Sequence, residues 1–223
     1  MEEIRLIEVK EDILADNKAV AERLREQLAK KRTFLLNLMS SPGSGKTTTI
    51  LRTVEELKER LTFGVIEADI ESTVDAQKVA AQGISAVQLR TGGLCHLDAS
   101  MVSRGLQELA LDSLDVVIIE NVGNLVCPAE FDTGAIKNAM ILSVPEGDDK
   151  PLKYPLMFTV CDALLINKID YLGLSDFNMQ ALRERALNLN PDLEIFEISA
   201  KTGQGIKSWA AWLNRQVNEF LGS

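Results

Sequence analysis

A chain of 223 residues can bury one substantial core, so one main domain is expected. With 46% hydrophobic and 26% charged residues, its balance is that of a globular protein. A net charge of -9, 5% aromatic residues and no apolar run near the ~20 residues of a membrane span argue against nucleic-acid and membrane partners.

The N-terminal stretch MEEIRLIEVKED is acidic and carries no apolar signal segment. Three cysteines, an odd number, are a poor basis for a disulfide framework, so a reducing cytoplasm is the expected setting. Residues 13–31 place Val20, Leu24 and Leu28 four apart, which predicts an amphipathic helix. It ends in the basic run Lys30, Lys31 and Arg32, where cations suit the helix dipole. This helix closes an N-terminal segment, 1–32, and residues 33–223 read as the main domain.

Short apolar strands are predicted at 33–39, 63–68, 84–89, 115–120, 139–144, 162–167 and 193–198. Helices are predicted between them at 46–61, 73–82, 99–111 with Asp98 as N-cap, 175–189 and 204–221. Strands alternating with helices imply crossover connections, hence an α/β fold with a mostly parallel sheet and helices on both faces. Ligands of such sheets bind at the carboxyl ends of the strands.

The segment SSPGSGKTT, Ser40–Thr48, lies between the first strand and its helix. Gly45, Lys46 and Thr47 match the phosphate-loop pattern, with Ser40 in place of the first glycine and Gly43 adding backbone freedom. The backbone N–H groups of Gly43, Ser44, Gly45 and Thr48 can converge on phosphate oxygens. Lys46 can reach the β- and γ-phosphates, and the Thr47 hydroxyl can bind Mg²⁺. Roughly 120 residues later, NKID supplies Asn167, Lys168 and Asp170, followed by Ser199, Ala200 and Lys201 in SAK. A carboxylate at Asp170 can accept both N–H donors of guanine's edge, whereas adenine offers no such pair. Lys168 can lie along the base, Asn167 can tie the loops, and the Ala200 N–H can face guanine O6. The combination resembles the GTPase signature set. Asp69 and Glu120, each at a strand end, are candidate Mg²⁺ ligands, and Glu120 begins an E-x-x-G variant of the D-x-x-G switch. Asp75 reads equally well as a helix-surface acid. No catalytic glutamine or arginine finger stands out, so slow intrinsic hydrolysis is expected.

The single histidine, His96, adjoins Cys95 in TGGLCHLDAS. Thiolate and imidazole together suit Ni²⁺, Zn²⁺ or Cu²⁺. Cys127, seven residues after Glu120 and in a predicted loop, is the candidate third ligand. Cys161 precedes the strand at 162–167 and reads as a core residue. Three ligands fall short of a closed tetrahedral site, and a two-fold dimer would bring up to six together.

In chain order, SSPGSGKT, GGLCHLDA, ENVGNLVCP, EGDDKPLKYP and NKID resemble the hydrogenase nickel-incorporation GTPases of the HypB family, from about residue 15 onward. The related urease accessory GTPases carry proline between the Cys and His, which this chain does not. The resemblance implies a GTP-regulated metallochaperone that binds GTP or GDP with Mg²⁺ and dimerises with GTP. It would help load nickel into [NiFe] hydrogenase, with Cys95, His96 and Cys127 holding Ni²⁺ or Zn²⁺. Implied partners are the hydrogenase large-subunit precursor and a small zinc-containing nickel chaperone. Residues 1–32 contain no cysteine or histidine, so the N-terminal nickel store of many members is not expected here. Three alternatives remain: delivery to another nickel enzyme such as urease, a zinc-stabilised regulatory GTPase that delivers no metal, and an ATP-dependent kinase-like enzyme, against which Asp170 speaks.

Overall fold

The chain alternates helices and strands in the predicted order. The computed structural model describes residues 9–69 and 74–222, so the first eight residues of the N-terminal segment, and Thr73, lie outside the described residues. The elements are α1 (Val9–Lys31), β1 (Phe34–Ser40), α2 (Lys46–Leu57), β2 (Phe63–Asp69), α3 (Val74–Ala80), β3 (Ser85–Arg90), α4 (Ala99–Gln107), β4 (Val116–Glu120), α5 (Cys127–Glu130), β5 (Lys137–Ser143), α6 (Lys150–Lys153), α7 (Pro155–Val160), β6 (Ala163–Asn167), α8 (Met179–Leu189), β7 (Glu194–Glu197) and α9 (Ile206–Gly222). Among the described residues, no helix is long and apolar enough to cross a membrane.

All strand pairs of the seven-stranded sheet are parallel, in the order β3-β2-β4-β1-β5-β6-β7. The order reverses at β1, whose neighbours are β4 and β5, and a crevice at such a switch point is where ligands sit. β1, β4 and β6 are buried at every position, which fits their largely apolar sequences, interrupted only by Asn37, Ser40, Glu120 and Asn167. Phe34, Leu36 and Leu38 of β1 pack with Ile50 and Val54 of α2, Val79 of α3 and Trp209 and Leu213 of α9. On the other face, Leu35 packs with Leu24 and Leu28 of α1 and Val102 and Leu106 of α4. Met39 joins Phe158 of α7 and Leu182 of α8. Each large side chain so buried contributes about 1.5–3 kcal/mol of hydrophobic stabilisation.

Several helices are shorter than the apolar pattern predicts. α2 stops at Leu57, where a turn returns Leu61 to the core, with Leu61 N–H donating to the Leu57 carbonyl at 3.0 Å. α4 stops at Gln107, and the turn Leu111–Ser113 follows it. Asp98 caps α4 as expected, its Oδ1 accepting from Met101 N at 2.8 Å. α8 starts at Met179 because Asn178 caps it, accepting from Ala181 N at 2.9 Å. The short helices α5, α6 and α7 each carry a proline in the first turn, where its missing N–H costs nothing.

Candidate functional site

The phosphate loop follows β1 at the centre of the sheet. Gly43 and Gly45 adopt left-handed φ values of 75° and 102°, which glycine takes without strain. A Cβ on Gly45 would also lie 2.5 Å from Asn167 Nδ2, so glycine is required twice over. Lys46 opens α2 and donates to Ser40 Oγ at 3.0 Å. Ser44 Oγ donates to the same oxygen at 2.6 Å. The serine at the first glycine position is thus more than a small substitute, because its hydroxyl holds the phosphate-binding lysine in place. Three further bonds brace the loop from behind, with Trp209 Nε1 donating to Thr53 Oγ1, Thr53 Oγ1 to the Thr49 carbonyl and Thr49 Oγ1 to the Gly45 carbonyl, at 2.7–2.9 Å.

The expected base-reading residues gather beside this loop. Asn167 Nδ2 donates to the Ser44 carbonyl at 2.8 Å, while its Oδ1 accepts from Lys168 N at 2.8 Å and Ala200 N at 3.0 Å. The Ala200 N–H, expected to face guanine O6, therefore joins the two base loops through Asn167. Lys168 sits at φ 63° and donates from Nζ to the Gly43 carbonyl at 2.7 Å. Asp170 Oδ1 accepts from Ser199 Oγ at 2.6 Å, which fixes the carboxylate and leaves Oδ2 for a ligand. Lys201 is exposed, and Arg52 holds its loop by donating to the Ala200 and Lys201 carbonyls.

Glu120 ends β4 at 3% exposure, its Oε1 accepting from Thr47 Oγ1 at 2.8 Å. Glu67, also 3% exposed, is its register partner on β2. Carboxylate oxygens of Glu67, Asp75 and Glu120 all lie within 4.8 Å of one another. Asp69, two residues beyond Glu67 at the end of β2, is half-buried and is not one of these three. Glu67 was missed in the sequence, although a carboxylate inside the apolar stretch Phe63–Ala68 was a usable signal. Burial, and then the neighbouring Glu120, push the Glu67 carboxyl up to about 10, and burial also raises Glu120. Oε2 of each glutamate is buried without a hydrogen-bond partner. Unpartnered carboxylate oxygens beside the Thr47 hydroxyl suit a divalent cation.

The sulfur and imidazole residues form a second cluster. Thr91–Leu94 is a tight turn in which Gly92 and Gly93 take φ values of 62° and 100°, and Leu97 anchors the loop in the core. Cys127 proves to be the first residue of α5, not part of an open loop. Free thiols Cys95 and Cys127 have sulfurs 2.7 Å apart, and the donor atoms of Cys95, His96 and Cys127 all lie within 4.8 Å. His96 stacks on Phe131 with ring centroids 3.7 Å apart. Burial lowers the His96 pKa despite nearby Asp98 and Glu130, which favours the neutral form of imidazole that ligates a metal. The Cys95 thiol is raised, chiefly by its hydrogen bond with Cys127. Cys161 is 3% exposed in the core, as expected, and burial pushes its thiol far up.

The segment Asn121–Val126 joins the two clusters. Asn121 N donates to the Leu38 carbonyl at 3.0 Å and Asn124 N to the Ser40 carbonyl at 2.8 Å. A phosphate loop, a carboxylate pair and a thiol–imidazole set are therefore linked by one short segment. The model of the CobW/HypB/UreG nucleotide-binding domain matches residues 34–197. The chain belongs to this family. Its fold is that of P-loop NTPases, and it is a GTPase. The hydrogenase maturation factor HypB of Rhizobium leguminosarum bv. viciae is 46% identical over 213 residues, covering 96% of this chain and 71% of the relative. The hydrogenase/urease maturation factor HypB of Helicobacter pylori strain J99 is 41% identical over 217 residues, covering 96% and 89%. The crystal structure of HypB from Helicobacter pylori in complex with nickel superposes with a TM-score of 0.87 at 40% identity, covering 92% of this chain and 96% of that one. Similarity to the family thus extends along nearly the whole sequence.

Proposed function

We propose that this chain is a GTP-hydrolysing metallochaperone that delivers nickel during the maturation of [NiFe] hydrogenase. The observation that carries the reading is the Cys95–His96–Cys127 set, joined to the phosphate loop through the segment that begins at Glu120. Nickel is the cargo, and two thiolates with a neutral imidazole are a suitable donor set for it; Zn²⁺ fits the same atoms. GTP binds with its phosphates over Gly43–Thr48 and its guanine edge on Asp170. Thr47 and Glu120 would hold Mg²⁺, with Glu67 and Asp75 beside them and Asp69 as a further acid at the end of β2. When bound, the ion neutralises charge that develops on the phosphates. Lys46 leaves Ser40 to pair with the same charge, and Gly123, packed against Pro42, registers the terminal phosphate.

Leu94 is 45% exposed and Val126 50% exposed, immediately before Cys95 and Cys127. A three-donor set flanked by exposed apolar side chains supports a shared site in a GTP-bound homodimer. The partners in this reading are a small nickel/zinc chaperone as donor and the hydrogenase large-subunit precursor as recipient, within the cytoplasm. The name of the Helicobacter pylori relative adds urease as a second client class. The test is a strain lacking this gene, complemented with wild type or with a Cys95→Ala, Cys127→Ala double variant. Wild type restores hydrogenase activity at trace nickel and the variant does not, while excess nickel rescues both. Full activity with the double variant at trace nickel would overturn the reading.

A further inference from the structure

The two ligand segments are held at different ends by two different asparagines. At the end remote from the nucleotide, Asn17 of α1 is 9% exposed. Its Oδ1 accepts from Ala99 N at 2.9 Å and its Nδ2 donates to the Asp132 carbonyl at 2.8 Å. Ala99, the first residue of α4 and three beyond His96, and Asp132, two beyond the end of α5, are thereby fixed to a single helix. At the near end, Asn124 makes three contacts. Its backbone N–H donates to the Ser40 carbonyl in the phosphate loop at 2.8 Å. Its Oδ1 accepts from Val126 N at 2.8 Å, one residue before Cys127. Its Nδ2 points at the Cys95 carbonyl from 3.5 Å. Gly123 beside it leaves no slack, since a Cβ there would lie 3.0 Å from the N and Cα of Pro42.

We propose that Asn124 is the positioning residue that makes the metal ligands follow the nucleotide. A shift of the phosphate loop carries Ser40, and through it the Asn124 backbone. The side chain then moves the Cys95 backbone and the Val126–Cys127 peptide together, against ends that Asn17 holds still. At 3.5 Å the contact with Cys95 sits at the limit of a hydrogen bond, while the bond from Val126 is at full strength. A displacement of a few tenths of an ångström therefore makes or releases the link between the two sulfur-bearing segments. This needs a side chain of the right length that carries both a donor and an acceptor. Aspartate keeps the bond to Val126 but offers no donor to Cys95, and alanine keeps neither.

The inference rests on the proposed coupling of metal to nucleotide, and the experiment separates the two. Ni²⁺ affinity is measured by chelator competition, with GDP and with a non-hydrolysable GTP analogue, in wild type, Asn124→Asp and Asn124→Ala. Thiolate-to-nickel absorption reports the ligand set. Wild type is expected to show an affinity ratio between the two states of about fivefold or more, the usual lower range for coupled sites. Both variants are expected to keep the wild-type nickel stoichiometry and absorption band while their ratio collapses toward one. Asn124→Asp, nearly isosteric, keeps the test valid if Asn124→Ala unfolds. A wild-type ratio in Asn124→Asp overturns the role of Asn124 and leaves the coupling standing. Loss of the nickel band in both nucleotide states of Asn124→Asp would mean that Asn124 merely builds the site, and also overturns it. A ratio of one in wild type removes the coupling itself.

Discussion

Replacing Asn167 by alanine is expected to damage stability and guanine-nucleotide binding together. Asn167 is 2% exposed, and its side chain satisfies three backbone groups, the Ser44 carbonyl and the N–H groups of Lys168 and Ala200, at 2.8–3.0 Å. A typical buried hydrogen bond contributes about 0.5–1.5 kcal/mol net, and a buried partner left alone costs up to about 3 kcal/mol. Ser44 and Ala200 are 1% and 3% exposed, so they carry the full loss, whereas Lys168 lies nearer solvent and its share is discounted. The expected cost is about 2–4 kcal/mol, which a domain of ordinary stability survives. The same bonds join the phosphate loop to both base loops, so GDP affinity should fall about tenfold or more. Urea unfolding followed by fluorescence reads the first effect, and titration of a fluorescent GDP reads the second. A variant within about 0.5 kcal/mol of wild type, with unchanged GDP affinity, would refute the bridging role.

Further outcomes follow from neighbouring residues. Asp170→Asn should shift preference from guanine to xanthine nucleotides, because an amide donor pairs with the carbonyl that xanthine carries; competition binding checks this, and unchanged GDP preference would contradict it. For Glu67, the folded chain keeps a proton up to about pH 10 that the unfolded chain releases in the ordinary carboxylate range. Stability without Mg²⁺ is therefore greatest at acid pH on this group's account, and falls as pH rises toward 10. Glu67→Gln should flatten that decline in thermal melts, and a parallel decline would count against the pairing with Glu120. Iodoacetamide should label Cys95 and Cys127 and spare Cys161, whose thiol is buried and raised, and nickel should protect the first two. Mass spectrometry of the labelled peptides decides.

The sheet was legible because its strands are continuous apolar runs separated by helical periodicity, and the central strands are buried at every position. The nucleotide loops were legible because their residues are close in sequence and have specific chemistry. Helix ends were less so, since Leu61 and Asn178 act through tertiary packing and capping that periodicity does not carry. Glu67 was less legible because a strand-end acid such as Asp69 is the stronger sequence signal, while parallel register, invisible in one sequence, sets Glu67 beside Glu120. Cys127 was placed by its spacing from Glu120, but its approach to Cys95 across 32 residues depends on how two loops fold together. The roles of Asn17 and Asn124 are wholly tertiary, because an asparagine in a helix or loop carries no signal of what its amide will reach.

The most direct test of a nucleotide-coupled metal site is a nickel titration of the full chain, once with GDP and once with a non-hydrolysable GTP analogue, while following mass in solution. Nickel affinity is expected to differ between the two states, with the GTP-analogue form dimeric and the Cys95, His96 and Cys127 sets of two chains brought together. By reciprocity, nickel should shift nucleotide affinity or dimerisation by the same factor. Identical nickel affinity and stoichiometry in both states, with a monomer throughout, would contradict it.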